Sequence, residues 1–446
     1  MLTDFAVRRK DRIIFIAVFA LIVFLLHRRS QQLNAPIVPP TYRVPLEFKP
    51  ANFDWSSAKQ HFPVETLTPL PKGKPEQLPL VQHQFSKAYK DDDITKKRRE
   101  AVREAFIRSW KSYKDHAWLH DELLPVTGGF KDPFGGWAAN LVDCLDTLWI
   151  MDLKEEFYEP LPEPTLLTKA VELGNMLYMA FDTPNRTPGF WLTFEDAKAG
   201  RQLAGTHDPS SGPTSLSLEF TRLSQLTGDD KYYDAIDRMR QLLERTQEQS
   251  LLPGMWPTMV NFREGTVRGD NSFSLGALAD SLYEYLPKMA VLLGGREGSA
   301  SYEKMYRRAM DVVIQHVLFR PMLPEKEDFL FAGTTFVHED GIHLVPEMQH
   351  LTCFIGGMFA LGGKIFGIDE HIDIGERIAR GMKGEEDLRE TAWNMLRVSL
   401  KSTQTPLANS AISNVTVTGE TEKENSMESF WMAETLKYFY LIFFFS

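Results

Sequence analysis

Acidic side chains recur singly inside apolar helical stripes of this sequence. Asp280 stands in Ser274–Leu286, reading SLGALADSLYEYL, where Leu275, Leu278, Leu282 and Leu286 follow helical spacing. Gly276 and Ala279 lie beside it in the same predicted helix. Glu219 interrupts the apolar run LSLEFTRL, and Glu428 and Glu434 lie in the apolar C-terminal run. Asp143 and Asp146 are spaced i, i+3, Asp121 and Glu122 precede a loop with Gly128 and Gly129, and His350 has apolar neighbours. A buried carboxylate needs a partner or a task. Two carboxyl groups flanking one bond can act as general acid and general base, and an acid-lined pocket with aromatic walls suits glycoside hydrolysis. The plain alternatives are helix caps, surface pairs and structural salt bridges. For Asp280, Glu284 one turn on points toward a solvated face.

The elements that must carry these residues are helices. Val102, Phe106, Trp110 and Tyr113 mark the first, followed by Ala138–Leu153, Leu166–Ala180, Leu216–Leu226 and a helix from Lys231 to Glu248. Gly228 and Asp229 read as a helix stop followed by an N-cap, which predicts a tight helical hairpin. After the Asp280 helix come Tyr302–Val317, Cys353–Phe366, Glu370–Met382, Glu386–Leu400 and Met427–Phe445. The strand candidates are Phe329–Val337 and NVTVT at Asn414–Thr418. The pattern predicts an all-α array or toroid with short β-hairpin insertions. No strict repeat period is present, which argues against a solenoid.

The 446 residues are 43% hydrophobic and 12% aromatic, enough for a sizeable core. A net charge of -10 argues against a nucleic-acid partner. P-loop, GxGxxG, HExxH and GxSxG signatures are absent from the sequence. Two cysteines, Cys144 and Cys353, exclude a disulfide framework. They could pair in a lumenal compartment, but their apolar contexts favour buried thiols. The apolar run Ile13–Leu26 is flanked by Arg8, Arg9, Lys10 and Arg12 on one side and His27, Arg28 and Arg29 on the other. As a helix it would span about 21 Å, short of the roughly 30 Å hydrocarbon core unless the flanking arginines snorkel. It reads as a signal anchor with the bulk of the chain lumenal; a cleaved signal peptide and an interfacial segment are the alternatives. Residues 30–85 are proline-rich and read as a stem, with Phe48, Phe53 and Trp55 suggesting that part of it docks. The sequons at Asn185 and Asn414 are compatible with a lumenal domain.

Five blocks together resemble the class I α-1,2-mannosidases, glycoside hydrolase family 47, in a fungal form. They are AVREAFIRSWKSYKDHAWLHDELLP with FGGWAANLVDCLDTLWIMDL; AVELGNMLYMAFDTPN; SLSLEFTRLSQLTGDDKYYDAI; SLGALADSLYEYLPKM with MQHLTCFIGGMFALGGKIFG; and MESFWMAETLKYFYLIF. The resemblance implies an (α/α)7 barrel, removal of α-1,2-linked mannose from high-mannose N-glycans with inversion, a bound Ca2+, and a type II membrane protein of the ER or Golgi. It implies a tail and anchor at 1–29, the stem at 30–85, and an α-mannosidase-like domain at 86–446. Asp280 matches a catalytic carboxylate, base or essential partner to the base. Glu219, His350 and Glu428 match residues of the sugar pocket. Leu278 occupies the position where ER-type enzymes carry arginine and Golgi-type enzymes leucine, which implies broader choice among mannose branches.

The sequence also departs from that pattern. The family segment resembling F-E-T-T-I-R-x-L-G-G, whose glutamate is the general acid, has no counterpart where Phe157 runs through Pro162 to Leu166; Glu159 and Glu163 do not match it. The stretch holding S-P-E and R-P-E-x-x-E-S, with base and pocket glutamates and the usual disulfide partner of Cys353, has none where Lys383 meets Gly384. The calcium-ligating threonine of the family falls beyond Ser446. Roughly a hundred family residues are therefore expected to be missing, several helices of a barrel with them. The pattern predicts an impaired hydrolase; a non-catalytic, lectin-like mannose-binding relative is the alternative.

Overall fold

The computed structural model describes residues 52–81, 93–158, 165–322, 328–381, 388–417 and 419–444. Ile13–Leu26, Glu159, Glu163 and the Lys383–Gly384 junction lie outside them. Helices dominate, and every strand is two to five residues long, as an all-α chain with small β insertions requires. Two compact units form: one from the 85–163 and 386–446 stretches, the other from 48–84 and 164–385.

In the first unit the long helix Asp93–His116 buries Val102, Phe106, Trp110 and Tyr113, the stripe anticipated from spacing. The expected single helix Ala138–Leu153 is instead two short ones, Ala139–Asp143 and Leu145–Ile150, broken at Cys144. At the C-terminal end the expected helix from Met427 begins late. Met427 pairs with Leu123 in a β-bridge, and its N–H donates to the Leu123 carbonyl at 3.1 Å. Trp431–Leu436 is a π-helix, and Lys437–Ile442 continues as α-helix. The NVTVT run forms no strand among its described residues. Asn414 Oδ1 accepts from the Thr416 N–H at 2.8 Å, a local turn that competes with strand pairing.

The second unit is built from helical hairpins. Ser217–Thr227 and Asp230–Thr246 are joined by Gly228 at φ 74° and by Asp229, whose side chain caps Lys231 N. Asp280–Leu293 returns as Ser299–His316 after Gly294 at φ 60°. Ile355–Phe366 returns as Asp369–Gly381 after Gly367 at φ 65°. Glycine supplies the left-handed stop in all three. The Phe329–Val337 prediction is realised as Phe331–Ala332 and Thr334–His338, the latter paired with Gly341–Val345. The core includes Trp256, Tyr283, Tyr306 and Phe359. Tyr283 closes it by donating to the Trp256 carbonyl at 2.8 Å and accepting from the Trp256 N–H at 3.0 Å.

Residues 52–81 of the proline-rich stretch lie along this unit. Buried Asp182 accepts from the N–H groups of His61 and Phe62, each at 2.8 Å, and is paired with Arg186 at 3.2 Å. Buried Asp234 repeats the arrangement, accepting from Thr68 N–H at 2.8 Å and pairing with Arg238 at 2.9 Å. Trp55 meets Phe194 at a tilt of 58° with ring centroids 5.3 Å apart.

Candidate active site

The Asp280 helix starts later than its leucine spacing suggests. Asp280 is its first residue, not its middle, and Ser274–Ala279 form a lead-in turn. Leu278 has φ +75° and Ala279 φ -131°, so neither is helical. The Gly276 carbonyl accepts from the N–H groups of Ala279 and Asp280, at 3.2 and 2.9 Å. A leucine in the left-handed region costs roughly 1–2 kcal/mol. Here its carbonyl is fixed by Ser211 N–H at 3.0 Å and Ser210 Oγ at 3.2 Å, while its side chain is 47% exposed. The surrounding bonds thus hold a strained backbone conformation at an exposed position.

Asp280 is half-buried, with its Oδ1 accepting from the Ser281 N–H at 2.8 Å. The first turn of a helix is a favourable place for an anionic side chain. Ser281 Oγ lies 2.8 Å from Ser215 Oγ, tying the Asp280 turn to the segment before helix Ser217–Thr227. Glu219, exposed in the first turn of that helix, accepts from Tyr285 OH at 3.1 Å. Burial, and after it the Glu219 charge, pushes the Tyr285 phenol well up, so it stays a donor. Glu284 pairs with Lys288 on its own helix, which accounts for the second acid of the motif. His350 is exposed at the start of the 3-10 turn His350–Phe354. Its neighbour Gln349 accepts from Ala277 N–H at 3.2 Å and covers Gly276, where an added Cβ would meet Gln349 Oε1 at 2.4 Å. Contacts between backbone segments therefore link Asp280, Leu278, Glu219 and the His350 turn within the second unit.

Glu428 belongs to the first unit, just before the π-helix. Its carboxyl is pushed up by burial and then by the charge of Glu122. Glu122 is itself buried, bound by Lys131 at 2.9 Å and Ser426 Oγ at 2.9 Å. Three other acids of this unit have structural partners. Asp121, fully buried, accepts from the N–H groups of Phe134 and Gly136 at 2.8 and 2.9 Å. Asp143 accepts from Ser429 Oγ at 2.6 Å, and Asp146 pairs with Lys437 at 2.8 Å. Glu434 is exposed. Cys144 is a buried free thiol, but Cys353 is exposed, against the apolar context of its sequence.

A calcium ion takes six to eight oxygen ligands. Among the described residues no group of three or more His, Cys, Asp or Glu side chains could hold a metal ion. The residues described do not fit such a site, and no chemical step is assigned to one. No helix among them is long and apolar enough to cross a membrane.

Spacing did not reveal Tyr285, Ser211, Ser281 or Gln349 as parts of this site.

Comparison with known proteins gives the family and the fold. Glycosyl hydrolase family 47 matches residues 105–162, 158–383 and 382–445, three segments that meet near 160 and 382. The endoplasmic reticulum mannosyl-oligosaccharide 1,2-alpha-mannosidase of Rattus norvegicus is 29% identical over 456 residues, covering 80% of this chain and 66% of its own length. Since 80% of 446 residues is about 357, roughly a hundred aligned positions have no residue in this chain. Mannosyl-oligosaccharide 1,2-alpha-mannosidase IB of Homo sapiens is 31% identical over 65% of this chain and 50% of its own length. A probable mannosyl-oligosaccharide alpha-1,2-mannosidase 1B of Aspergillus flavus is 26% identical over 82% of this chain and 91% of its own. The chain thus spans between half and two thirds of the rat and human relatives. Among solved structures, the alpha-1,2-mannosidase from Trichoderma reesei shares the fold at TM-score 0.67 and 24% identity, over 78% of this chain and 93% of that one.

Proposed function

Since the chain belongs to glycosyl hydrolase family 47, we propose that its site is built for α-1,2-mannosidase chemistry on high-mannose N-glycans, and that this chain is impaired in the hydrolytic step. The observation that carries the second half is the pair of joins in the family match, near 160 and 382. They fall where the sequence lacks the segments corresponding to the general acid and to the R-P-E glutamates. Inverting hydrolysis needs an acid to protonate the leaving oxygen and a base to activate water on the opposite face. Asp280, at the mouth of its helix, is base or essential partner to the base in this reading. Glu219, with Tyr285 holding its carboxylate, and His350 contact the sugar; Glu428, in the other unit, matches a sugar-pocket residue of the family by resemblance. Burial and the neighbouring Glu122 charge favour the protonated form of Glu428. Leu278, exposed in its strained turn, shapes the choice among mannose branches. Nothing among these residues replaces the missing acid.

The reading extends to the compartment. Relatives named for the endoplasmic reticulum and the arginine-flanked run Ile13–Leu26 support a single-pass type II protein with its folded part in the lumen of the ER or Golgi. Calcium enters as a condition of the assay, with and without chelator.

The substrate class is tested by retention on immobilised full chain. A high-mannose oligosaccharide should be held, and the same glycan stripped of its α-1,2-linked mannoses should pass through. Equal retention of both, or of neither, contradicts the reading.

A further inference from the structure

Trp191 is 78% exposed, the most exposed tryptophan among the described residues, yet its loop is tied by hydrogen bonds. Its carbonyl accepts from Nε2 of buried Gln202 at 2.9 Å. The N–H of Phe190 donates to Asp208 Oδ2 at 3.1 Å. The two rings meet edge to face with centroids 5.0 Å apart. Phe190 lies on Gly212, where an added Cβ would come within 2.4 Å of the ring. The next residue back, Ser211, donates its N–H to the Leu278 carbonyl at 3.0 Å, two residues before Asp280. A continuous set of contacts therefore runs from the exposed indole to the Asp280 turn.

We propose that Phe190 and Trp191 form a stacking platform for a pyranose ring of the oligomannose arm, one sugar or more beyond the mannose presented to Asp280. The inference rests on the reading of this site as a glycan site. A pyranose offers an apolar C–H face to an aromatic ring while its hydroxyls stay in water. Tryptophan supplies that surface at low entropic cost because it has only two side-chain torsions. The indole N–H can meet a hydroxyl at the ring edge. Asp208 and Ser211 add polar groups beside the rings, as orienting contacts in a sugar site require. Two rings are far smaller than the roughly 800 Å² per partner of a stable protein interface, so a sugar suits the patch better than a protein.

The test is calorimetric titration of the full chain and its variants with a high-mannose oligosaccharide. Trp191→Ala should weaken binding by about ten-fold or more, as removal of a central tryptophan contact does. Trp191→Tyr should keep most of the affinity. Phe194→Ala, which removes an exposed aromatic engaged with Trp55, should leave binding unchanged. All three should melt like the parent chain, since each ring is at least 41% exposed. Unchanged binding by Trp191→Ala, or equal loss in the alanine and tyrosine variants, overturns the platform while the glycan reading stands. Failure of the parent chain to bind removes both.

Discussion

Ser211 donates its backbone N–H to the carbonyl of Leu278 at 3.0 Å, and this bond holds a leucine at φ +75° directly before the Asp280 helix. The strain is local, so it can be relieved locally. Leu278→Gly should stabilise the second unit by up to about 1 kcal/mol, because glycine adopts this conformation without steric cost. It should also weaken oligomannose binding by removing the exposed side chain. Thermal melting and the same titration check both. A lower melting temperature would show that the turn is unstrained.

The strap of residues 52–81 gives a second expectation. Asp234 is fully buried and binds both the Thr68 N–H and Arg238. Asp234→Ala leaves the Thr68 N–H without its acceptor and Arg238 with only the Thr66 carbonyl at 3.4 Å, which should cost about 1–3 kcal/mol. Limited proteolysis should then cut near Thr68 faster than in the parent chain. Unchanged stability and cleavage would mean that the strap rests on the unit without supporting it.

Close helix packing gives a third. A Cβ on Gly375 would meet the Gly356 carbonyl at 2.6 Å and the Ala360 nitrogen at 2.8 Å. These are backbone atoms of the facing helix and cannot rotate away. Gly375→Ala should destabilise by about 1–3 kcal/mol through overpacking, despite alanine's better helix propensity. Urea denaturation measures it, and a stabilised variant would contradict the packing described.

The pH dependence of the second unit should include His371, which is 3% exposed and has Nδ1 3.0 Å from Tyr306 OH. Burial pushes its pKa down, against the opposing charges of Asp311 and Glu370. A histidine with a depressed native pKa is held neutral, so the unfolded chain binds its proton first. Stability is then full above the ordinary histidine pKa near 6.5 and falls as the solution is acidified through it. His371→Gln should flatten that fall in melting temperature between about pH 7 and 5. An identical slope in the variant would remove His371 as its source.

The helical hairpins were legible because glycine and aspartate mark their ends chemically: Gly228 and Asp229 stop and restart a helix where the sequence says they do. The start of the Asp280 helix was not legible. Leucine carries no signal for a positive φ, and Leu275 and Leu278 are spaced as if helical though they sit in a turn held by Ser210 and Ser211 far along the chain. The break at Cys144 and the π-helix at Trp431 likewise depend on tertiary contacts, such as the Ser429–Asp143 bond, that local spacing does not encode. The acids were found by spacing, but their roles were not. Asp143 and Glu434 look alike in sequence, yet one receives a hydroxyl at 2.6 Å and the other faces solvent. Trp191 escaped notice because periodicity detects what a helix buries, and a platform must be exposed.

We propose that this chain keeps a sugar site of family 47 and lacks the acid and base segments needed to use it. Release of mannose from a high-mannose oligosaccharide, with calcium and with chelator, tests it most directly, measured beside a chain carrying family segments inserted between Leu161 and Leu166 and between Lys383 and Gly384. The chain itself should release little or no mannose, and the restored one should release it. Release by the unaltered chain at the restored chain's rate would contradict that.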